Sequence, residues 1–189
     1  MKILIISLKF LLLMTILTGI AYPVFVFGIA KIFFNDKSRG SLIEINGNKI
    51  GSELIAQKFD SSIYFQPRPS SIDFLPMPSG ASNCGPTSKK LRDFSDSMRT
   101  AYIRKNNLPE NTNVPVDAVF ASASGIDPHI SPENANLQFE RVCKARNFDN
   151  VKKEKLRELI NMMEEKPQFN VLGEPRINVF VLNLEMNKL

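Results

Sequence analysis

The residues best suited to chemistry surround the single histidine of the chain, His129. Asp127 precedes it by two positions, and hydroxyls lie upstream at Ser122 and Ser124. These are the groups of a Ser-His-Asp hydrolase, in which the histidine accepts the proton of the nucleophile. Ser122 lacks the flanking glycines of a nucleophile elbow, however, and Asp127 to Pro132 has the composition of a rigid turn before a helix. We therefore favour a structural role and keep a Ser/His hydrolase as the alternative.

Two further motifs resemble phosphate chemistry without its essential residues. Residues 80 to 87, Gly-Ala-Ser-Asn-Cys-Gly-Pro-Thr, have the outer spacing of a P-loop. Pro86 stands where the phosphate-binding lysine is required, so both the charge and a backbone N–H are missing. Asp36 to Arg39, Asp-Lys-Ser-Arg, is similar to the phosphorylated motif of P-type pumps. A chain of 189 residues has no room for the domains that such pumps need.

Metal and nucleic-acid chemistry are also disfavoured. Cys84 and Cys143 lie far apart, and one histidine does not complete a zinc site. We expect two buried thiols, with a single disulfide as the alternative. The net charge is +5, but its lysines and arginines are interleaved with glutamates, as on a solvated helix face. We predict no metal, no tightly bound cofactor and no nucleic-acid partner.

The elements that must position these residues begin with an apolar segment. Residues 10 to 30 contain no charged side chain, which is enough for a helix to cross about 30 Å of hydrocarbon. We predict a short tail at 1–9, a transmembrane helix at 10–34 and one soluble domain at 35–189. A cleaved signal peptide is the alternative, because small residues lie at 19–21, but the apolar run continues beyond them. The flanking positive charges are nearly balanced and do not determine the topology.

Small residues inside this segment suggest a docking face for a second helix. Thr15 and Gly19 have the small-xxx-small spacing that allows close approach of helices in lipid. Pro23 and Gly28 add further positions at which a neighbouring helix could pack. The alternative is that glycine and proline are simply tolerated in a membrane span.

The soluble domain mixes strand and helix signals. Asn46-Gly47 between apolar runs predicts a hairpin, and the proline-rich stretch 65–86, with proline steps including Pro76, predicts an extended loop. Capping residues and helical periodicity predict helices at 88–106, 132–146 and from 149 to before 167. Short β-rich runs predict strands at 116–121 and 177–184. These elements indicate an α+β domain with a small sheet covered by helices.

Several of these blocks resemble one known family. Residues 17–23, Leu-Thr-Gly-Ile-Ala-Tyr-Pro, and residues 121–132, Ala-Ser-Ala-Ser-Gly-Ile-Asp-Pro-His-Ile-Ser-Pro, are similar to signatures of the C subunit of the Kdp potassium-transporting ATPase. Further similar stretches follow over nearly the whole chain, at 51–59, 64–70, 79–87, 114–117, 138–146 and 172–184. Ala56, Ser88 and the 75–78 run depart from the family pattern.

The resemblance implies a non-catalytic accessory subunit of an ATP-driven, high-affinity potassium uptake complex. Its expected partners are a P-type ATPase subunit, a potassium channel-like subunit and a small helical subunit. Its expected roles are to assemble or stabilise the complex and to act as a catalytic chaperone that raises the ATP affinity of the ATPase subunit. The resemblance places the soluble domain outside the cytoplasmic membrane. A nucleotide contact, with ATP bound only through the complex, would fall on Ser79, Gly80, Ala81, Ser82 and Asn83.

Overall fold

A computed structural model of the chain describes residues 1–75 and 77–189. The chain forms two compact units, at residues 1–50 and 51–189. The predicted loop at 65–86 contains no helix among its described residues, as its prolines require. Pro76 lies outside the described residues.

The first unit is dominated by one long apolar helix, a candidate membrane span from Lys2 to Phe33. It consists of α1 (Lys2–Ile16), a π-helical turn (Leu17–Ala21) and α2 (Tyr22–Phe33), with a mean hydropathy of 2.4 in its most apolar window. Residues 2–9, which we predicted as a tail, are helical as well. A short helix, α3 (Asn35–Ser38), follows.

The predicted hairpin is confirmed. Strand β1 (Leu42–Ile45) pairs with β2 (Asn48–Ser52) across a two-residue turn. Asn46 has φ 52° and Gly47 has φ 78°, which are the two left-handed positions that a tight hairpin turn needs.

The second unit is mainly helical. Its helices are α4 (Lys89–Asn106), α5 (Val116–Val119), α6 (Pro132–Ala145), α7 (Asn150–Met162) and α8 (Val179–Met186). Its only named strands in the described residues are β3 (His129–Ile130) and β4 (Ile177–Asn178), which pair antiparallel. The α+β class is therefore confirmed, with a sheet much smaller than the helices around it.

The three helices predicted for the soluble domain all form, and their ends lie within about one turn of the predicted ones. Ser131 caps α6 by accepting a hydrogen bond from the Asn134 N–H, and Asp149 caps α7 by accepting one from Lys152. Helix α4 begins after Ser88, although that side chain makes no capping bond. Its predicted inward face is only partly covered, because Ala101 is exposed.

The core of this unit lies where α6, α7 and α8 pack together. Phe65, from the loop, is fully buried among these helices. The other buried members of the core are Ile130, Ala135, Phe139, Val142, Cys143, Leu156, Ile160, Ile177, Val179, Leu182 and Met186. Both cysteines are free; Cys143 is buried as predicted and Cys84 is half-buried.

The predicted strand at 116–121 is wrong. Residues 116–119 form the helical turn α5, and Phe120 after them is extended. Pro115, directly before it, is the N-cap residue and has extended backbone. The Asp117 carboxylate accepts hydrogen bonds from the Ser131 N–H (2.8 Å) and hydroxyl (2.9 Å), which ties this turn to the start of α6.

The predicted strand at 177–184 is wrong beyond Asn178. Asn178 accepts a hydrogen bond from the Val181 N–H and starts α8. Buried positions of α8 lie around most of its circumference, at Val179, Phe180, Leu182, Asn183 and Met186. A helix that is buried on all sides lacks a polar face, so its apolar run cannot be told from a buried strand by periodicity.

Candidate functional site

The serine- and glycine-rich segments around residues 80 and 124 lie against each other. The Gly80 N–H donates to the Ser124 carbonyl oxygen at 3.1 Å. The Gly80 carbonyl accepts from the Ser71 hydroxyl at 3.0 Å. Since the backbone groups of Gly80 are engaged within the protein, this loop is held in place by its neighbours.

The five predicted nucleotide-contact residues therefore lie in one loop, which is held by the hydrogen bonds of Gly80. Ser79, Ser82 and Asn83 are exposed, whereas Gly80 and Ala81 are half-buried. The Ser82 carbonyl accepts a contact from the Cys84 thiol at 3.5 Å. The Gly80 N–H is not available to a phosphate, so a nucleotide at this loop would rely on the exposed hydroxyls and the Asn83 amide.

Gly125 is required where these two segments meet. It has φ 72°, and an added Cβ would lie 2.5 Å from Cγ1 of Ile72 and 2.9 Å from the Gly80 carbonyl oxygen. Left-handed backbone and contact with a backbone atom both disfavour any side chain there.

We expect Gly125→Ala to lower the free energy of unfolding by about 2 kcal/mol, from backbone strain plus the displaced loop. The measurement is chemical unfolding of the full-length chain in detergent, followed by circular dichroism. Gly85→Ala is the matched control, because an added Cβ there meets nothing within 4 Å. Equal stability of the two variants would contradict this account of Gly125.

The hydrolase alternative requires a serine hydroxyl beside His129, and the hydrogen bonds point elsewhere. The Ser122 hydroxyl oxygen accepts from the Asp127 N–H at 3.5 Å, and the Ser124 oxygen accepts from the Ile126 N–H at 3.2 Å. Ser122 is also buried. These hydroxyls brace their own turn, as short polar side chains commonly do.

Asp127 instead organises a small ionic cluster. Its carboxylate accepts from the His129 N–H at 3.0 Å and lies 3.2 Å from the His129 Nδ1 atom. Arg68 Nη1 approaches the other carboxylate oxygen at 3.3 Å. Burial opposes ionisation of Asp127, but the hydrogen bonds to His129 and the charges of His129 and Arg68 outweigh it and lower the pKa of this carboxyl.

This lowered pKa predicts an acid-sensitive domain. The carboxylate stabilises the fold fully above the ordinary aspartate pKa of about 3.9, and this contribution is lost as the pH falls towards the lower folded pKa. We expect Asp127→Asn to be less stable than the wild type at pH 6, with a difference that shrinks below about pH 4.

The measurement is the unfolding midpoint between pH 3 and pH 7. Asp93→Asn is the control, since it makes the same charge change at an exposed position of α4. A difference between Asp127→Asn and the wild type that stayed constant over this range would exclude ionisation of Asp127 as its cause.

An open cavity of about 770 Å³ lies beside this cluster. Carboxylates dominate its charged lining, at Asp117, Asp127, Glu133, Glu164 and Glu174, against Arg68 and Arg176. A lining of this sign attracts cations and repels phosphate groups.

The most extensive polar structure among the described residues of the domain surrounds residues 62–66, which begin in a turn and which we call the 62–66 segment. Arg141, buried in α6, donates through Nη1 to the carbonyl oxygens of Ser62 and Tyr64. Its other nitrogens donate to Asn106 Oδ1 and Gln138 Oε1, both at 2.8 Å. Burial lowers the pKa of this guanidinium, and the four oxygen acceptors offset that loss of hydration.

Three more side chains complete this arrangement. Asn183 of α8 accepts from the Phe65 N–H at 2.9 Å and donates to the Phe65 carbonyl at 2.8 Å. Gln138 makes the same two-point contact with the backbone of Gln66, at 2.8 and 3.1 Å. Arg146 donates to the Ile63 carbonyl at 2.7 Å. We call Gln138, Arg141, Arg146 and Asn183 the clamp.

The clamp was not predicted from the sequence. Its one local signal is that Asn134, Gln138 and Arg141 are polar at the spacing of one face of α6, and that face is buried. A polar stripe on an inward face indicates buried hydrogen-bond partners, because buried polar groups are almost always paired.

Of the predicted docking residues of the anchor, Thr15, Gly19 and Pro23 are exposed in this single chain and Gly28 is half-buried. Gly19 and Gly28 have nothing within 4 Å of an added Cβ, and the Thr15 hydroxyl donates to the Leu11 carbonyl. Thr15, Gly19 and Pro23 follow a spacing of four and share one face, whereas Gly28, five residues further, lies about 140° away on a helix of 3.6 residues per turn. Their role in docking stays a prediction.

The chain matches known proteins over nearly its whole length. The family model described as "KdpC: K+-transporting ATPase, c chain" matches residues 4–188. Proteins named potassium-transporting ATPase KdpC subunit are similar to it, among them one from Mycobacterium tuberculosis that is 43% identical over 188 residues, covering 97% of this chain and 96% of the relative. Those of Cereibacter sphaeroides and Leptospira interrogans are 41% and 42% identical, covering 96% of this chain and 94% and 92% of theirs.

A match of this extent includes both the apolar helix and the soluble domain with its clamp. The resemblance that the sequence motifs indicated is therefore confirmed, and the chain belongs to the KdpC family, the c chain of the K+-transporting ATPase.

Proposed function

We propose that this chain is a non-catalytic accessory subunit that assembles or stabilises an ATP-driven potassium uptake complex. The observation that carries the proposal is the family match over residues 4–188, which includes the candidate membrane span. Its partners are a P-type ATPase subunit, a potassium channel-like subunit and a small helical subunit. The architecture of one apolar helix and one domain suits a subunit that is anchored beside larger membrane proteins.

The proposal includes a catalytic chaperone role, in which the chain raises the ATP affinity of the ATPase subunit. The soluble domain lies on the extracytoplasmic side in this proposal, so about 30 Å of hydrocarbon separates it from cytosolic nucleotide. The coupling then passes through the anchor and the conformational states shared with the ATPase subunit. The acidic cavity near Asp127 supports this indirect route over a nucleotide site at that place.

The experiment is purification of the tagged full-length chain in mild detergent, followed by identification of co-purifying proteins. The complex with and without this chain is then compared in a potassium-stimulated ATPase assay. Co-purification of the partners, with a higher KM for ATP when the chain is omitted, supports both parts of the proposal. Recovery of the chain alone from membranes that express the pump would overturn it.

A direct nucleotide contact at Ser79 to Asn83 is a separate arm of the test. Binding of ATP to the full-length chain alone, lost in Ser82→Ala, would replace the indirect route by a direct one. The exposed hydroxyl of Ser82 makes this a mild substitution. If the chain does not bind ATP at millimolar concentration, indirect coupling through the anchor remains the proposed route.

The anchor gives a further prediction. We expect Gly19→Ile to lower recovery of the partner subunits at least about twofold, because its side chain prevents close helix approach. Stability of the soluble domain should not change, since Gly19 belongs to the apolar helix and an added Cβ there meets nothing within 4 Å. The measurement is quantitative co-purification. The control is Leu12→Ile, which leaves the side-chain volume unchanged at another exposed position of the helix. Full recovery with Gly19→Ile would remove the predicted docking face.

A further inference from the structure

A compact turn projects from the second unit between α7 and β4. At its base, Glu165 and Arg176 exchange backbone hydrogen bonds of 2.8 and 3.1 Å, and their side chains form an ion pair at 2.9 Å. Nearer its end, Gln168 and Leu172 exchange two more, both at 2.9 Å. We call residues 168–172 the tip. Two pairs of reciprocal bonds make it an ordered structure.

Apolar side chains dominate the tip. Phe169 is 89% exposed, Val171 79% and Leu172 60%. Single exposed apolar residues are normal on protein surfaces, but three within five residues form a concentrated patch. Packing in the core does not account for these three side chains, since all of them are largely exposed and none belongs to the core cluster.

Four of the five backbone N–H groups of the tip are paired within the turn. The N–H groups of Gln168, Asn170, Val171 and Leu172 all donate to carbonyl oxygens of residues 167–172, at 2.9–3.1 Å. In lipid, a backbone polar group without a partner is strongly destabilising. This turn can therefore leave water without exposing those four donors to hydrocarbon.

The end of the turn is uncharged. Residues 167–173 carry no charge, whereas Lys166 and the acids Glu164, Glu165 and Glu174 flank them, so the fit to a membrane rests on apolar side chains and not on attraction to lipid phosphates. An aromatic ring beside aliphatic side chains is typical of segments that lie at the interface between headgroups and acyl chains.

The same chain carries a candidate membrane span, Lys2–Phe33. A tether of this kind raises the effective concentration of lipid around the domain, so a patch too small to bind a membrane alone becomes sufficient. We propose that the tip, through Phe169, Val171 and Leu172, inserts into the interface of the membrane that the chain's own anchor crosses.

The chain contains no tryptophan, so one substitution supplies a specific fluorescent reporter. Full-length Phe169→Trp is reconstituted in vesicles of phosphatidylcholine and phosphatidylglycerol, with and without dibrominated phosphatidylcholine. We expect about twofold quenching by the brominated lipid and about twofold protection from aqueous acrylamide. Val151→Trp, at a 63% exposed position of α7, is the matched control and should show neither effect.

A second variant separates insertion from a change of fold. Adding Val171→Asp and Leu172→Asp to the Phe169→Trp chain should abolish quenching by the brominated lipid. Both positions are exposed, so the circular dichroism spectrum should not change. Quenching that persists with both aspartates would overturn the proposal.

Two other results would also overturn it. One is equal quenching of the reporters at 169 and 151, which would show that the tip has no special contact with lipid. The other is protection from acrylamide that appears only when the purified ATPase complex is added, or only at high protein concentration. That result would assign the tip to a protein partner or to a second copy of the chain.

Discussion

Arg141→Met is expected to lower the free energy of unfolding of the soluble domain by about 3–5 kcal/mol, because it removes donors from several buried oxygens at once. The carbonyls of Ser62 and Tyr64 and Oδ1 of Asn106 each lose a hydrogen bond from the guanidinium. Methionine fills much of the same volume, so the loss is one of hydrogen bonding rather than of packing. Unfolding midpoints in urea, followed by circular dichroism on the full-length chain in detergent, provide the measurement.

Two companion variants make this test specific. Arg104→Met removes the same charge from an exposed position of α4 and should change the stability little. Arg141→Lys keeps the charge but not the planar, forked geometry, and should recover only part of the lost stability. If Arg141→Lys were as stable as the wild type, charge alone and not the set of directed donors would explain the role of Arg141.

Asn183→Leu is expected to lower the free energy of unfolding by about 2–4 kcal/mol, because the Phe65 N–H and carbonyl both lose their partner in a dry environment. Leucine has the same branched arrangement of side-chain heavy atoms as asparagine and suits the apolar surroundings of α8, but it is larger. A loss of stability could therefore come from overpacking as well as from the lost hydrogen bonds, and a second readout at Phe65 is needed to separate the two.

The control for this variant is Leu184→Ala, a truncation at the next position of α8, where the side chain is only half-buried. Amide hydrogen exchange gives a second readout. In the absence of denaturant, the Phe65 amide should lose its protection from hydrogen exchange in Asn183→Leu, while the amides of α7 should keep theirs. Retained protection at Phe65 would show that its N–H has another acceptor.

The elements that could be predicted are those whose signals are local. The hairpin follows from Asn46-Gly47, and α6 and α7 begin at the capping residues Ser131 and Asp149. The apolar helix is evident from its lack of charge, and in the structure it continues N-terminally to Lys2. Each signal lies within a few residues of the structure that it determines.

The errors and omissions have a common physical origin in tertiary contacts. Helix α8 was predicted as a strand because it is buried nearly all round, which removes the polar face that marks a helix. The clamp was missed because its bonds join a backbone segment to side chains far along the chain, without any sequence period. The contact of Gly80 with Ser124 and Gly125 likewise could not be predicted from the sequence, since neither segment has a regular structure that fixes its direction.

The spacing of the clamp along the chain has a consequence for biosynthesis. The side chains that satisfy the 62–66 segment are made 72 to 118 residues after it. Until the ribosome has produced α8, the backbone of Phe65 has only water as a partner, and the core around its ring stays open. The hydrogen bonds of this segment therefore form late in synthesis, after the anchor has been made, and newly made chains pass through a period in which this stretch is accessible to chaperones and proteases.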